Sequence, residues 1–401
     1  MSEQTPEVAP RMLLASLVVV GMGFTVLFPV LAPLGREIGL SEIQITSIIA
    51  MSSITVFLAS PRWGRLSDRA GRKKIMLLGV FGFAAGTVLF NSTLYLGLAG
   101  ILTGTWVYVA LIGTRMTHAA IMSATMPAAN AYMADITTPA NRTRGMGAAG
   151  AANNIGAILG PAVAILSFVS LLTPLWVMAL ASLLNGIFIW RFLPESPRAR
   201  TTTLPPKLKY TDHRILPFII VGVAMFTGNA LVQQTMGFRF QDALDLNAAD
   251  TAQAMGIAMM GSAAASLFAQ AFVVQRLEIP PFKLLTIALP VLVVAFVIMA
   301  VAEARWILTA ALAVQGFGMG LAGPGFMAGA SLSVSPQEQG SVAGVAGSCG
   351  PLGFTIGPLM GGALYQFSET APYTVAACMY VVLIAFMPYL GKRVAVHRHE
   401  G

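Results

Sequence analysis

Apolar runs alternate with short polar connections along almost the whole chain, and most runs approach the roughly 20 residues a helix needs to cross a bilayer. They predict spans near 12–34, 42–61, 75–94, 108–134, 145–168, 174–193, 215–237, 251–273, 284–302, 306–330, 341–365 and 373–391. The first run follows Glu3 and Glu7 rather than a basic stretch, and it exceeds the apolar region of a signal peptide, so it is expected to remain as a membrane helix. One interval fits poorly. Between Ile75 and Asp135 there is room for two helices plus roughly 15 residues. The Gly-rich excess around 92–106 either lengthens the helices or forms a re-entrant piece.

The longest polar stretch, 194–214, is Pro-rich and basic, and it divides the pattern into a six-helix bundle over 1–193 and another over 215–401. A shift of 197 residues brings Pro127 onto Pro324, Pro139 onto Pro336, Gly147 onto Gly344 and Gly150 onto Gly347. The same shift brings Gly156 onto Gly353, Gly160 onto Gly357 and Pro161 onto Pro358. Seven coincidences at one offset point to duplicated halves. Parallel halves of this kind suit a rocking transporter whose site lies between them.

Composition agrees with an all-α membrane protein. The chain is 56% hydrophobic and only 10% charged, with a mean hydropathy of +0.76. Its net charge of +8 does not pave a face for nucleic acid, because the cations flank apolar runs. With the N-terminus placed inside, 20 of the 24 Lys and Arg fall on inner segments and three (Arg36, Arg239, Arg305) on outer loops. Cys349 and Cys378 lie in apolar runs, and nothing has metal-ligand spacing, so neither metal nor cofactor is expected. No HExxH, GxSxG or P-loop spacing marks an enzyme.

The densest charge lies between spans two and three, where Arg62, Arg65, Arg69, Arg72, Lys73 and Lys74 surround Asp68. Such a block cannot sit in hydrocarbon and is expected to form a short loop outside it. Its pattern, Gly64-Arg-Leu-Ser-Asp68-Arg-Ala-Gly71-Arg72-Lys-Lys, resembles the loop signature of the major facilitator superfamily, with Ala70 where that family usually has an aromatic residue. The resemblance implies a twelve-helix transporter of two pseudo-symmetric bundles. It further implies that Asp68 and Arg72 join Asp135, with Arg144 nearby, in an inner gate latch. Gly64 and Gly71 would permit close approach and turning; alternatively the cations only set topology.

Gly156-Ala-Ile-Leu-Gly160-Pro161 is similar to the helix-five motif of drug:proton antiporters, although Ala164-Ile165 replaces its trailing glycine pair. Gly353, Gly357 and Pro358 carry a fuller version in span eleven, and Pro29-Val-Leu-Ala-Pro33 looks like that subgroup's first helix. Small residues there are expected to bring spans five and eleven against helices of the opposite half. The stretch from Arg115 to Asp135 is similar to members linked to siderophore or metabolite export. These resemblances favour export of a small organic compound, with an importer or a drug exporter as rivals and a non-transporting sensor further off.

No carboxylate falls in mid-span, a departure from many proton-coupled exporters. Arg115 and His118 are the ionisable groups well inside a span, three residues apart on one face, which Met122 and Met126 continue with Asn130 to one side. This face suits a partly apolar anion, unless Arg115 snorkels outward and His118 only bridges helices. Asn229, Gln233, Gln234 and Gln315 are the corresponding polar groups in the other half, and Gln315 falls on His118 after the shift. His118, Asp68 and Asp135 are the candidate proton carriers. The expected setting is a bacterial inner membrane, with both termini cytoplasmic and a monomeric chain.

Overall fold

The computed structural model describes residues 8–138, 141–196, 210–277, 279–335 and 338–399. The described residues form helices and turns. In order they are α1 (Val8–Thr25), α2 (Leu27–Glu37), α3 (Glu42–Ala70), α4 (Arg72–Leu98), α5 (Gly104–Met122), α6 (Thr125–Ile136) and α7 (Arg142–Leu159). A 3₁₀ stretch at Pro161–Phe168 extends α7, and α8 (Thr173–Phe192) follows. Then come α9 (Leu216–Leu244), α10 (Ala248–Phe268) with a π-helical end at Ala269–Val274, and α11 (Pro281–Val301). Last are α12 (Arg305–Ser331), α13 (Gln339–Phe367) and α14 (Ala371–His399). Among the described residues, eleven segments are long and apolar enough to cross a membrane, and the twelfth expected span is divided between α5 and α6.

Proline chemistry explains that division. Pro127 has no N–H for the carbonyl of Ser123 four residues back, and its ring crowds that carbonyl. The helix turns at Ser123 and Ala124, where the Ala124 N–H bonds Ile121 O (3.1 Å) rather than the α-helical acceptor Ala120. The excess around 92–106 lengthens helices: α4 runs to Leu98 and α5 starts at Gly104.

The expected loop over 64–74 is corrected. α3 continues through the charge block to Ala70, and the chain leaves helical geometry at Gly71, whose φ of +108° favours glycine. Charged residues outside hydrocarbon are good helix formers, so the helix outlasts the apolar run. Gly71 turns the chain as expected. Gly64 does not serve close approach, since a Cβ there would meet nothing nearer than Pro127 Cβ at 3.8 Å.

The chain falls into two compact units, Met1–Thr201 with Asn247–Gly256, and Thr202–Leu246 with Ile257–Gly401. In the first, α1 packs along α7, and α4 packs on both α5 and α8. Leu13, Leu17, Met76, Tyr132 and Ile189 centre its buried core. In the second, α9 packs along α13, and α11 along α12 and α14. There the buried Tyr380 hydroxyl donates to Met225 O (2.6 Å). Residues 197–209 of the expected linker, with Arg198, Arg200, Lys207 and Lys209, lie outside the described residues, as do Pro139 and Pro336 of the repeat.

Candidate functional site

Three groups of polar residues stand out. The first lies where α3, α4 and α6 meet. Arg72 opens α4 and reaches back one turn to Asp68 through Nη1, which also donates to Ser67 Oγ (2.9 Å). Its Nε donates to Asp135 Oδ2 at 3.1 Å. The two acids differ in setting: the Asp68 side chain is 60% exposed and that of Asp135 only 8%. Asp135 is therefore the buried anchor of the trio. Arg144, expected nearby, is exposed on α7 with no ion pair among the described residues and stays outside the cluster.

Three cluster contacts come from a segment that sequence reasoning treated as linker. Beyond α8, Ser196 Oγ donates to Asp135 Oδ2 (3.1 Å), and Glu195 Oε1 accepts the Lys73 N–H (2.9 Å) in the first turn of α4. Tyr132 fixes the segment by donating to Pro194 O (2.8 Å). A carboxylate at a helix N-terminus is favourable to the dipole. The available signal was a carboxylate and a hydroxyl just past the sixth span, at the same end of the bundle as Asp135.

The second group is on α5. Arg115 Nη1 lies 2.7 Å from His118 Nδ1, and a guanidinium only donates, so this imidazole is neutral and carries its proton on Nε2. The Arg115 guanidinium sits 5.7 Å from the Phe90 ring centroid, and the His118 ring meets Phe83 edge-on at 4.8 Å. Gly86 of α4 makes room, since a Cβ there would come within 2.7 Å of the imidazole. His118 is buried, and among the described residues neither its Nε2 nor Arg115 Nε has a hydrogen-bond partner. Buried polar groups without partners are uncommon and call for an explanation.

The rest of that face divides. Met122 is buried and lines a small cavity with Val19, Phe24, Phe83, Thr125 and Ser182. Met126 packs on the core around Tyr132, and Asn130 is half-buried on α6.

The third group lies in the second unit. Gln315 Nε2 of α12 donates to Asn229 Oδ1 of α9 at 2.8 Å, leaving the buried Gln315 Oε1 without a partner. Gln233, one turn along from Asn229, is half-buried, and Gln234 is buried with Nε2 unpaired.

The glycine motifs pack helices, and the four glycines themselves do so within their own half rather than across halves as expected. A Cβ at Gly156 would fall 1.9 Å from Val18 O, and one at Gly160 would fall 2.2 Å from Thr25 Oγ1, both on α1 of the same half. Gly353 and Gly357 lie likewise against Phe226 and Thr227 of α9. Each glycine pair is spaced i, i+4 and so presents one bare stripe to a single neighbouring backbone. Pro161 frees the carbonyl of Ala157, which accepts the Thr25 hydroxyl instead (2.9 Å), while Pro358 stays inside an unbroken α13. The expected contact of span five with a helix from the other sequence half is made just beyond Gly160: in the first unit, Pro161 O and Ala164 meet Gly256 of α10.

Two further arginines form ion pairs that the sequence pattern does not reveal. Arg239, expected in an outer loop, is buried inside α9. It donates to Ala302 O (3.0 Å), just past the end of α11, and to Glu369 Oε2 (3.1 Å). The helix can extend over this charge because those acceptors satisfy it. Before α9, Arg214 grips both Glu338 oxygens (2.8 and 3.0 Å) and also holds Asp212. Hydrogen bonds from Arg214 hold the Asp212 carboxyl down at about 2, and those from Arg214 and Ser335 do the same for Glu338.

Comparison with known proteins agrees with this architecture. Multidrug resistance protein 1 of Bacillus subtilis (strain 168) is 25% identical over 383 residues, covering 93% of this chain and 94% of that relative. Multidrug resistance protein 2 of the same organism is 32% identical over 149 residues, and this match spans 37% of the chain and about a third (34%) of that relative. The crystal structure of the human organic anion transporter MFSD10 (TETRAN) superposes with a TM-score of 0.67 at 18% identity, covering 96% of this chain and 100% of that one. The profile of the Major Facilitator Superfamily matches residues 13–305 and 283–400. Eleven membrane-length segments and a divided twelfth among the described residues, the Asp68–Arg72–Asp135 cluster and a match along nearly the whole length lead to one conclusion: this chain belongs to the Major Facilitator Superfamily of membrane transporters.

Proposed function

We propose that this transporter exports a small organic compound, partly apolar and bearing a carboxylate or similar negative charge, in exchange for protons by alternating access. The observation that carries this reading is the Arg115–His118 pair. A guanidinium with one N–H bonded to a neutral imidazole still offers donors to an anion, and both side chains have an unpaired buried nitrogen. Phe83 and Phe90 supply apolar walls beside it. The amides Asn229, Gln233, Gln234 and Gln315 would add uncharged hydrogen-bonding capacity for the cargo.

Export is supported by the names of the relatives, which are resistance proteins, and by the Gly156–Pro161 stretch on α7. The asymmetry of Lys and Arg supports cytoplasmic termini in a bacterial inner membrane. The Asp68–Arg72–Asp135 cluster then faces the cytoplasm and would latch the inner gate, with His118, Asp68 or Asp135 carrying the proton.

The test is flux through purified protein in vesicles under an imposed pH gradient, using a fluorescent carboxylate dye and, separately, the cation ethidium. Dye movement opposite to the proton gradient, lost when the gradient is collapsed, is the expected result. Dye movement indifferent to the gradient would end the proton-coupling claim. Ethidium transport alone would end the anion claim, and co-directional movement would make the protein a symporter.

A further inference from the structure

The break in the fourth span is held from outside by another helix. Pro127 leaves Ser123 O without its α-helical donor, and the turn leaves Ala120 O without the Ala124 N–H. α3 supplies replacements for both. The Trp63 indole Nε1–H donates to Ala120 O at 2.6 Å, helped by Ser123 Oγ at 2.8 Å, and Ser60 Oγ approaches Ser123 O at 3.4 Å. Buried backbone carbonyls require partners, so these donors allow the break to persist in the protein interior.

The repeat makes the feature specific. Pro324 occupies the position equivalent to Pro127, yet α12 runs through it unbroken from Arg305 to Ser331. Proline alone therefore does not open a helix here. The break also separates two pieces of chemistry, since α5 carries Arg115 and His118 while α6 carries Asp135. The helix that caps it also carries Asp68 in its last turn, bound to Arg72.

We infer that Ser123 and Ala124 form a hinge between the Arg115–His118 half-helix and the Asp135 half-helix, and that Trp63 is its positioning residue. α3 then registers the hinge at Trp63 and the charge cluster at Asp68 on one rigid rod. Movement of the α3 end on release of Arg72 shifts the cap and changes the bend. The hinge stands independently of the cargo, while its service in export rests on the function proposed above.

Hydrogen exchange of the full chain in detergent micelles, followed by mass spectrometry over 119–129, tests this without any transport assay. Trp63→Phe keeps an aromatic ring but removes the donor, and should speed exchange there about three- to tenfold, with peptides of α9 unchanged. Pro127→Ala restores a backbone donor and should slow exchange below wild type. In the Pro127→Ala background Trp63→Phe should have less than about a twofold effect, because an intact helix no longer needs the cap. An equal effect of Trp63→Phe in both backgrounds would reduce Trp63 to ordinary packing and overturn the inference. Should Trp63→Phe fail to give monodisperse protein, Ser60→Ala carries the same comparison, removing only the hydroxyl at Ser123 O.

Discussion

Asp135 is bound to Arg72 through a 3.1 Å hydrogen bond in a setting that leaves only 8% of its side chain exposed, whereas Asp68, on the same guanidinium, is 60% exposed. The two carboxylates should therefore separate in their effects. Asp135→Asn leaves Arg72 short of its buried anion and should destabilise the protein by about 2–3 kcal/mol. Asp68→Asn removes a largely solvated ion pair and should stay within about 1 kcal/mol of wild type. Thermal unfolding in detergent checks the order. Both variants should slow transport, since a latch needs both acids, but only Asp135→Asn should also lower Tm.

The α1–α7 contact makes a second prediction. The Thr25 hydroxyl is the donor for Ala157 O, the carbonyl that Pro161 leaves bare. Thr25→Val keeps the shape and removes the donor, and should lower stability by about 1–3 kcal/mol, with Thr25→Ser close to wild type. Gly160→Ala should be worse than either, because its Cβ would fall 2.2 Å from Thr25 Oγ1 and 2.5 Å from Met22 O, and backbone cannot swing aside. Equal Tm for Thr25→Val and wild type would remove the capping role.

Twelve spans were legible because hydropathy reports where hydrocarbon lies, and the cluster of Asp68, Arg72 and Asp135 was legible from a family resemblance, although Asp135 lies 63 residues from Arg72. Hydropathy is silent outside hydrocarbon, so it gave no sign that α3 continues to Ala70. It was also smooth across Ser123. Pro127 was visible, but Pro61, Pro290 and Pro324 lie inside unbroken helices, and the break at Pro127 goes with donors on α3 that no local pattern announces. Arg239 was misplaced because a charge near a span end resembles a loop residue until its carbonyl acceptors are known. Glu195 and Ser196 were missed because their partners lie 122 and 61 residues away and no motif ties them together, as one ties Arg72 to Asp135.

A pH prediction follows from Arg214. Its hydrogen bonds bring Asp212 from 3.8, and Glu338 from 4.5, down to about 2. A carboxylate whose folded value is depressed stabilises the fold above its unfolded value and loses that contribution as pH falls toward the folded one. Wild type should therefore exceed Arg214→Ala in Tm by a constant margin at pH 6 and above. The margin should shrink below about pH 4.5 and close near pH 2. A margin that persists to pH 2 would mean that Arg214 stabilises by packing and not by its ion pairs.

The last prediction concerns the link between proton and cargo. His118 Nδ1 accepts from Arg115, so protonating the imidazole would remove that acceptor and set two cations side by side. At the few ångströms involved, such repulsion is worth about 4 kcal/mol at an effective dielectric of 20. A carboxylate bound to Arg115 would offset it, so binding of anion and proton at this pair should be mutually favourable. A proton taken up with the cargo is not the one exchanged for it, which leaves that role to Asp68 or Asp135. Calorimetry of a carboxylate dye in two buffers of different ionisation heat should show uptake of about one proton per dye by wild type. His118→Gln keeps an acceptor near Arg115 but cannot titrate, and should bind the dye with no proton uptake. Arg115→Lys keeps the charge without the planar fork and should bind about tenfold more weakly. Proton uptake that survives His118→Gln would show that a group other than His118 takes up the proton with the dye, while loss of dye binding in Arg115→Lys alone would leave Arg115 as the anion site without a titrating partner.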